Sequence, residues 1–216
     1  MPSEAILAFD TSGPWCAVAV TAGDQVLAHR HEALARGQGE RLFPAIEDAL
    51  AEAGLAWRDL VAIGVGTGPG NFTGIRIGVA AARGLALGLG VPAVGVTRFE
   101  ALALDGPDLP ALVPAPRGMA WLARPGAAPE LVDPAGLAGP VLADPVEFAN
   151  LLGHDFANPT GDFAKSTAIP PAQPLAVAIA RLAGAKAHAP QPRPAPLYLR
   201  PADAAPPSDP TPVLLD

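Results

Sequence analysis

Lysine is scarce in this sequence of 216 residues and occurs only at Lys165 and Lys186. Lysine and arginine together number 14 against 21 aspartates and glutamates, which gives a formal net charge of -7. Proteins that bind nucleic acid present clustered basic side chains that displace counterions from phosphates. The acidic balance therefore argues against a chain that binds RNA or DNA by itself.

A single cysteine, Cys16, excludes an internal disulfide, and its setting in Cys-Ala-Val-Ala-Val predicts a small buried residue. No apolar run approaches the roughly 18 to 20 residues of a membrane span, and the N-terminus lacks the basic segment of a signal peptide. Hydrophobic residues make up 50% of the chain, enough for a substantial core. We therefore expect a folded cytoplasmic protein without a membrane partner.

Proline divides the chain into two differently built parts. Only five of the 27 prolines lie in residues 1–100. This shift predicts an N-terminal lobe over residues 1–104 and a smaller second lobe over residues 105–202. Residues 203–216, rich in proline and poor in apolar residues, are expected to be disordered.

The first part shows a clear order of elements. Three β-rich runs come first, then a helix with Gly54 as its stop, and then alternating strands and helices. The expected strands are 5–9, 16–20, 25–30, 60–65 and 93–96, and the expected helices are 40–53, about 72–88 and 98–104. A meander followed by this alternation predicts a mixed sheet with helices packed on it.

The second part carries weaker signals. Residues 112–114 and 120–123 are predicted strands, and residues 174–186 a predicted helix. Asp144 is placed to cap a further helix that has Pro145 at its first position. No fold for the second lobe follows from these elements alone.

The stretch GVGTGPGNFTGIRIG, residues 64–78, joins a predicted strand to a predicted helix. A dinucleotide fingerprint has the pattern Gly-x-Gly-x-x-Gly. Counted from Gly66, its third glycine is replaced by Asn71, and counted from Gly68 it is replaced by Thr73. A Walker A loop needs a lysine, and none occurs in residues 1–164. Two explanations remain for the turn: a helix N-terminus that holds an anion, or a tight connection that requires positive φ.

The predicted helix after this turn is unusual for its small residues. Each glycine inside it costs about 1 kcal/mol relative to alanine, so close packing must offset the loss. Small residues recur every four positions at Gly74, Gly78, Ala82 and Ala86. This smooth stripe fits a close neighbour, which is either the helix over 40–53 or another protein.

Two further sets of side chains bear on a partner surface. The apolar residues Leu42, Phe43, Ile46 and Leu50 are either plain core or part of that surface. Arg76 and Arg83 are expected to be exposed and suit bidentate pairing with a partner carboxylate. A cation in the first helical turn opposes the helix dipole, which favours a specific partner for Arg76.

Five motifs together resemble the bacterial TsaB (YeaZ) family. They are ILAFDTS from Ile6, GERLFP from Gly39, GTGPGNFTGIRIG from Gly66, GLALG from Gly84 and PLYLR from Pro196. The resemblance is densest in the first hundred residues. It implies an α/β protein of the two-lobed actin-like ATPase (ribonuclease H-like) fold, with mixed sheets and flanking helices, in the glycoprotease-like branch of the actin, sugar-kinase and Hsp70 superfamily.

The resemblance also implies a function. In this family the B subunit is a non-catalytic scaffold that binds the catalytic D subunit (TsaD) and works with the E-subunit ATPase (TsaE). The complex uses ATP and magnesium to place threonylcarbamoyl on adenosine 37 of tRNAs that read codons beginning with A. On this basis the chain binds no cofactor firmly, meets tRNA only through the complex, and forms a homodimer when isolated.

The resemblance places the partner surface on helices of the first lobe. The expected contact residues are Leu42, Phe43, Ile46, Leu50, Thr73, Gly74, Arg76, Ile77, Gly78, Ala81 and Ala82. The sequence departs from the family at Gln38, where a histidine is usual, and at Ala115, where the second-lobe hairpin usually carries an aspartate. Both departures argue against nucleotide chemistry in this chain.

Candidate phosphate contacts are Asp10, Thr11, Ser12, Gly70 and Asn71. An aspartate with two hydroxyls is able to hold a phosphate or its metal, while the simpler explanation is a turn in which Asp10 and Ser12 bond nearby backbone. A phosphate site here would make the chain an independent small-molecule phosphotransferase or ATPase, which is the alternative function. No catalytic residue is assigned.

A metallopeptidase is not indicated by the histidines. His29 and His31 share one face of a predicted strand, and no His-x-x-x-His occurs. His154 and His188 lie far from them in sequence. No metal ligand is therefore assigned.

Overall fold

The computed structural model describes residues 4–152 and 166–199. The predicted disorder beyond residue 202 and the residue His154 lie outside this part. Eight elements come first along the chain: β1 (Ala5–Asp10), β2 (Trp15–Ala22), β3 (Gln25–Ala33), α1 (Gln38–Ala53), β4 (Leu60–Gly66), α2 (Phe72–Leu89), β5 (Ala93–Val96) and α3 (Arg98–Ala103). Each helix and strand predicted before residue 104 is confirmed, with small changes at its ends.

Seven elements follow in the second half: β6 (Ala111–Pro114), β7 (Ala120–Ala123), β8 (Glu130–Val132), β9 (Gly139–Leu142), α4 (Pro145–Leu151), β10 (Ser166–Ile169) and α5 (Leu175–Lys186). The predicted strands at 112–114 and 120–123 and the Asp144 cap are confirmed. The strands β8, β9 and β10 were missed. They have only three or four residues, too few to show a period.

The strands form two five-stranded sheets with the same plan. Their orders are β3-β2-β1-β4-β5 and β8-β7-β6-β9-β10. In each, three strands form an antiparallel meander and two more join in parallel beside the first. The predicted mixed sheet is therefore confirmed, and the second half repeats it.

Strand β1 is buried on both faces, and its alternating side chains serve two cores. Leu7 and Phe9 pack with residues of α1 and α2, while Ile6 and Ala8 pack with residues of α5. Successive side chains of a strand point to opposite faces, so one short strand anchors both layers of helices. The first sheet therefore lies between α1 and α2 on one side and α5 on the other.

Helix α5 lies on the first sheet, although the division at residue 104 assigns it to the second lobe. Its alanine-rich face, with Ile179 at the centre, is buried against β1 and β4. A predicted helix does not reveal which sheet it covers, because a strip of alanine and isoleucine fits either. The second sheet is thus inserted between α3 and α5 of the first lobe.

Helix α2 is long and apolar, with 18 residues and a mean hydropathy of 1.3, so that by length and composition it is able to cross a membrane. A core helix passes the same test, which makes this weak evidence. In the structure the core side of the helix carries Ile75, Val79 and Ala82, while Arg76 and Arg83 are exposed to solvent. Packing on the first sheet explains part of its apolar character, since 33% of the helix is buried.

The N-terminal turns of α2 touch the β1–β2 turn through backbone. A side-chain carbon at Gly74 would lie 1.9 Å from the carbonyl oxygen of Thr11, and one at Gly78 would lie 2.9 Å from Thr11 Oγ1. The Thr11 hydroxyl donates a 2.7 Å hydrogen bond to the carbonyl of Gly74. These two glycines are therefore required by contact inside the chain.

We predict that Gly74→Ala destabilises the fold by about 2 kcal/mol, because the methyl group forces Thr11 away from α2. The matched control is Gly84→Ala on the same helix, where no atom lies within 4 Å of the added carbon. This control should gain about 0.5 to 1 kcal/mol from helix propensity. Urea unfolding monitored by circular dichroism measures both, and equal effects of the two substitutions would contradict the close contact.

Candidate functional site

The Asp10–Ser12 turn is held together by one carboxylate oxygen. Asp10 Oδ1 accepts hydrogen bonds from the backbone N–H of Ser12 (2.9 Å), from Ser12 Oγ (2.8 Å) and from Trp15 Nε1 (2.8 Å). The second oxygen, Oδ2, is buried and has no partner among the described residues. The explanation of this triplet as a hydrogen-bonded turn is thus confirmed, with Trp15 as a partner that the sequence did not suggest.

The glycine-rich turn before α2 packs onto this same Asp10–Ser12 turn. The N–H of Asn71 donates to the carbonyl of Ser12 at 2.6 Å, and Asn71 Oδ1 caps the helix by accepting from the N–H of Gly74 at 3.0 Å. A side-chain carbon at Gly70 would lie 2.2 Å from the Ser12 carbonyl. Asn71 therefore caps α2, and Gly70 permits the contact between the two turns.

A cavity of about 340 Å³ lies where the two sheets face each other beside these turns. Ser12, Gly70 and Asn71 line it from the first lobe, and Ala115 and Trp121 line it from the second. The other two candidate phosphate contacts, Asp10 and Thr11, are engaged in the hydrogen bonds above. Three of the five predicted residues thus meet at one cavity.

An ion pair crosses between the lobes at the wall of this cavity. Arg98, which is 4% exposed, pairs with Glu147 of α4. The Arg98 guanidinium also lies 5.1 Å from the centre of the Trp15 ring, and its backbone N–H donates to the carbonyl of Gly68 at 2.8 Å. This buried pair links α3 of the first lobe to α4 of the second.

Sequence reasoning missed both members of this pair. Arg98 is the first residue of a helix capped by Thr97, where a cation opposes the helix dipole. That unfavourable position was the only local signal. Glu147 lies in the first turn of α4, where an acidic residue is ordinary, so its partner could not be inferred.

A second cavity, of about 420 Å³, lies on the far side of Arg98 and includes His29, His31 and Trp15 in its lining. The two histidines do share one strand face, as predicted. Burial and the neighbouring His31 lower the pKa of His29 below its usual value. Among the residues that the structure describes, no group of three or more His, Cys, Asp or Glu side chains is arranged to hold a metal ion.

Most residues predicted to contact a partner prove to be core. The buried members of the set are Leu42, Ile46, Leu50, Gly74, Gly78 and Ala82. These six residues pack inside the lobe in the described chain, and their direct contact with a partner stays a prediction. The periodicity was correct, but it indicated the side of each helix that packs within the lobe. Of the four residues on α1, the alternative of plain core is confirmed for Leu42, Ile46 and Leu50.

The other members of the set lie on the outer surface of α1 and α2. Phe43 is 44% exposed, Thr73 and Arg76 are exposed, and Ile77 and Ala81 are half-buried. A different small-residue stripe is exposed on α2, formed by Ala80, Gly84 and Gly88, with Leu87 beside it at 87% exposure. We call the exposed surface of Phe43, Thr73, Arg76, Ile77, Ala80, Gly84 and Leu87 the outer helix face.

Two sheets of identical strand order, with helices on their faces and a cavity between them, define a two-lobed protein of the actin-like class. The solved structure of YeaZ from Pseudomonas aeruginosa supports this class, with a TM-score of 0.67 over 91% of this chain and 100% of that one at 24% identity. The family model for TsaD, tRNA N6-adenosine threonylcarbamoyltransferase, matches residues 30–119.

Curated relatives narrow the class. The tRNA threonylcarbamoyladenosine biosynthesis protein TsaB of Escherichia coli (strain K12) is 41% identical over 98 residues, which are 45% of this chain and 42% of that protein. The protein of the same name from Bacillus subtilis (strain 168) is 37% identical over 108 residues, 50% of this chain and 47% of that protein. The chain is therefore similar to the TsaB (YeaZ) family over about half of its length. It spans less than half the length of these curated relatives.

Cys16 is the remaining nucleophile to consider, and the structure buries it completely in β2. Burial, reinforced by the charge of Glu32, raises the pKa of its thiol to about 11. The thiolate is the reactive form, so a raised pKa makes a cysteine inert. The expectation of a buried structural cysteine is confirmed.

We predict that native protein at pH 8 reacts with a disulfide reagent at least about 100-fold more slowly than the unfolded chain, because both burial and the raised pKa remove the thiolate. Release of the thiol chromophore measures this. In urea, one equivalent per chain should react, since Cys16 is the single cysteine. Rapid reaction without urea would show that β2 opens to solvent.

Proposed function

We propose that this chain is a non-catalytic subunit in the biosynthesis of threonylcarbamoyladenosine on tRNA. On this proposal it acts in the cytoplasm, where it binds the catalytic D subunit (TsaD) through the outer helix face and works with the E-subunit ATPase (TsaE). The complex uses ATP and magnesium and places threonylcarbamoyl on adenosine 37 of tRNAs that read codons beginning with A. This chain meets tRNA only through the complex.

The outer helix face is the observation that carries the proposal. Ala80 and Gly84 have no bulky side chain, so a second helix is able to approach α2 closely there. The exposed apolar side chain of Leu87 lies next to Gly84 on the same helix, and Phe43 is exposed on α1. Exposed glycines in a helix sacrifice stability, at about 1 kcal/mol each relative to alanine. A partner that packs against them would recover that loss. The same face is able to pair with its own copy in the isolated chain.

Charge supports a protein partner over a direct tRNA partner. The chain carries a net charge of -7, and Glu40 and Glu47 are exposed on α1, one turn to either side of Phe43. Phosphate backbones repel such a surface. The names of the curated relatives connect the family to threonylcarbamoyladenosine biosynthesis, and a protein-binding subunit reconciles that process with an acidic chain.

The proposed lack of catalysis is supported by the residues in and around the cavity beside Ser12. One oxygen of Asp10 is committed to three hydrogen bonds within its own turn. The Arg98–Glu147 pair crosses between the lobes and lines the same cavity. Ala115, which lines the opposite wall, supplies no carboxylate.

The test is reconstitution with tRNA, threonine, bicarbonate, ATP, magnesium and the other subunits from the same organism. We expect modified adenosine, measured by mass spectrometry of tRNA nucleosides, only when this chain is present. Gly84→Leu should lower the yield to the level without the chain, because its side chain blocks close approach of a helix, while Gly84→Ala should retain it. The same substitution at Gly78 would not test the outer helix face, because Gly78 is buried against Thr11 and a leucine there would disturb the fold.

Full modification without this chain would refute the role in the complex. Equal activity of Gly84→Leu and the unsubstituted chain would preserve the role but remove the outer helix face as the contact. Circular dichroism of each variant shows whether it is folded. Because Gly84 is exposed with open space around it, both variants are expected to fold.

The cavity beside Ser12 leaves a second candidate function, an independent phosphotransferase or ATPase. Its volume of about 340 Å³ and its lining of Ser12, Gly70 and Asn71 are the observations in its favour. We predict that titration of the isolated chain with ATP and magnesium gives no heat of binding in a calorimeter. Saturable heat of binding would move this candidate to the front.

A further inference from the structure

The C-terminal motif PLYLR has no role in the function proposed so far, yet part of it lies against the outer helix face. Leu197 donates its N–H to the carbonyl of Thr67 at 2.8 Å. Leu197 and Leu199 pack into the cluster between α3 and β6. In extended chain alternate side chains face opposite ways, so Tyr198 is turned outward to the N-terminal turns of α2.

Tyr198 meets two residues of α2 there. Its hydroxyl accepts a 2.7 Å hydrogen bond from Arg76 Nε, and its ring lies 5.2 Å from that of Phe72. The Arg76 guanidinium carbon lies 3.7 Å from the centre of the Phe72 ring. Phe72 and Arg76 are four residues apart on one helix and are neighbours on its surface. The guanidinium is thus fixed between a ring and a hydroxyl.

Stacking on the Phe72 ring and a hydrogen bond to Tyr198 hold the Arg76 guanidinium in place. The helix begins at Phe72, so Arg76 lies in its second turn and not in the first turn expected from the sequence. The described arginines that pair with a carboxylate are Arg30, Arg41, Arg58, Arg98, Arg124 and Arg181. Within residues 4–152 and 166–199 the structure records no acidic partner for Arg76.

The unused donors of Arg76 define what it is able to bind. An arginine has five N–H donors in a fixed planar fork, and Nε is the one committed to Tyr198. The two terminal nitrogens remain for an acceptor outside the described part of the chain, and such a fork matches a carboxylate in a bidentate manner. Phe72 and Tyr198, 49% and 45% exposed, provide an apolar rim beside it.

We propose that Phe72, Arg76 and Tyr198 form a preorganised clamp that receives an acidic side chain of the D subunit at the edge of the outer helix face. This inference rests on the proposed function. Arg76 makes the contact, and Tyr198 is a positioning residue that acts through it. Charge complementarity identifies the occupant, since the clamp is a fixed cation on an otherwise acidic chain.

The experiment measures the affinity of the purified D subunit for this chain by calorimetry at low and high salt. Arg76→Lys keeps the charge but loses the planar fork, and should weaken binding about 10-fold or more. Tyr198→Phe keeps the ring and removes the hydroxyl, and should weaken it about 3-fold. Arg117→Gln, which removes an exposed charge from the second lobe, is the control and should leave the affinity unchanged.

A double substitution separates positioning from direct contact. If Tyr198 acts through Arg76, Tyr198→Phe adds nothing once Arg76→Gln is present. The salt dependence of binding should also be steeper for the unsubstituted chain than for Arg76→Gln. Additive losses would mean that Tyr198 contacts the partner separately and would overturn its positioning role.

The outcomes distinguish this clamp from the proposed function. If Arg76→Lys binds the D subunit as the unsubstituted chain does, while Gly84→Leu does not bind, the clamp is refuted and the function stands. If the unsubstituted chain fails to bind the D subunit, both fall. If Arg76→Gln lowers affinity for tRNA and leaves that for the D subunit intact, the occupant is a phosphate and the clamp as proposed is overturned.

Discussion

The contact of α2 with the β1–β2 turn is the constraint on which the first lobe depends. Gly74 and Gly78 bring the helix backbone against Thr11, and Asn71 joins the same turn through Ser12. Asp10 fixes the other side of the turn through Trp15. Strand, turn and helix are thus one unit, and the direction in which α2 leaves the sheet follows from it. The face that α2 presents to solvent is set by the same contact.

This constraint also separates two roles that glycine has within one helix. Gly74 and Gly78 serve packing inside the lobe, since any side chain there meets Thr11. Gly84 and Gly88 meet nothing within 4 Å, and the fold gives no reason for them. A residue that costs stability and is not needed by its own chain points to a requirement outside that chain. The outer helix face is where such a requirement would act.

The sequence predicted the elements of the first lobe well, because α1 and α2 have clear helical periods, β4 is a continuous apolar run, and Gly54 marks the end of a helix. It did not predict which side of α2 faces outward. Two stripes of small residues run along that helix, and periodicity alone assigns neither to the core. The sequence also did not predict two side-chain pairs, Arg98 with Glu147 and Arg76 with Tyr198. The partners are 49 and 122 residues apart, respectively. Such contacts arise only from the assembled fold.

The placement of α5 on the first sheet affects how the chain is made. One face of β1 and β4 has no cover until α5 arrives, and residues 104–174 must be synthesised before it does. At roughly 5 to 20 residues per second that interval lasts about 4 to 14 seconds. During this time the apolar side chains of Ile6 and Val94 are accessible to chaperones or to other nascent chains. Synthesis therefore starts with β1 of the first lobe, and α5, the last described helix, completes the same lobe.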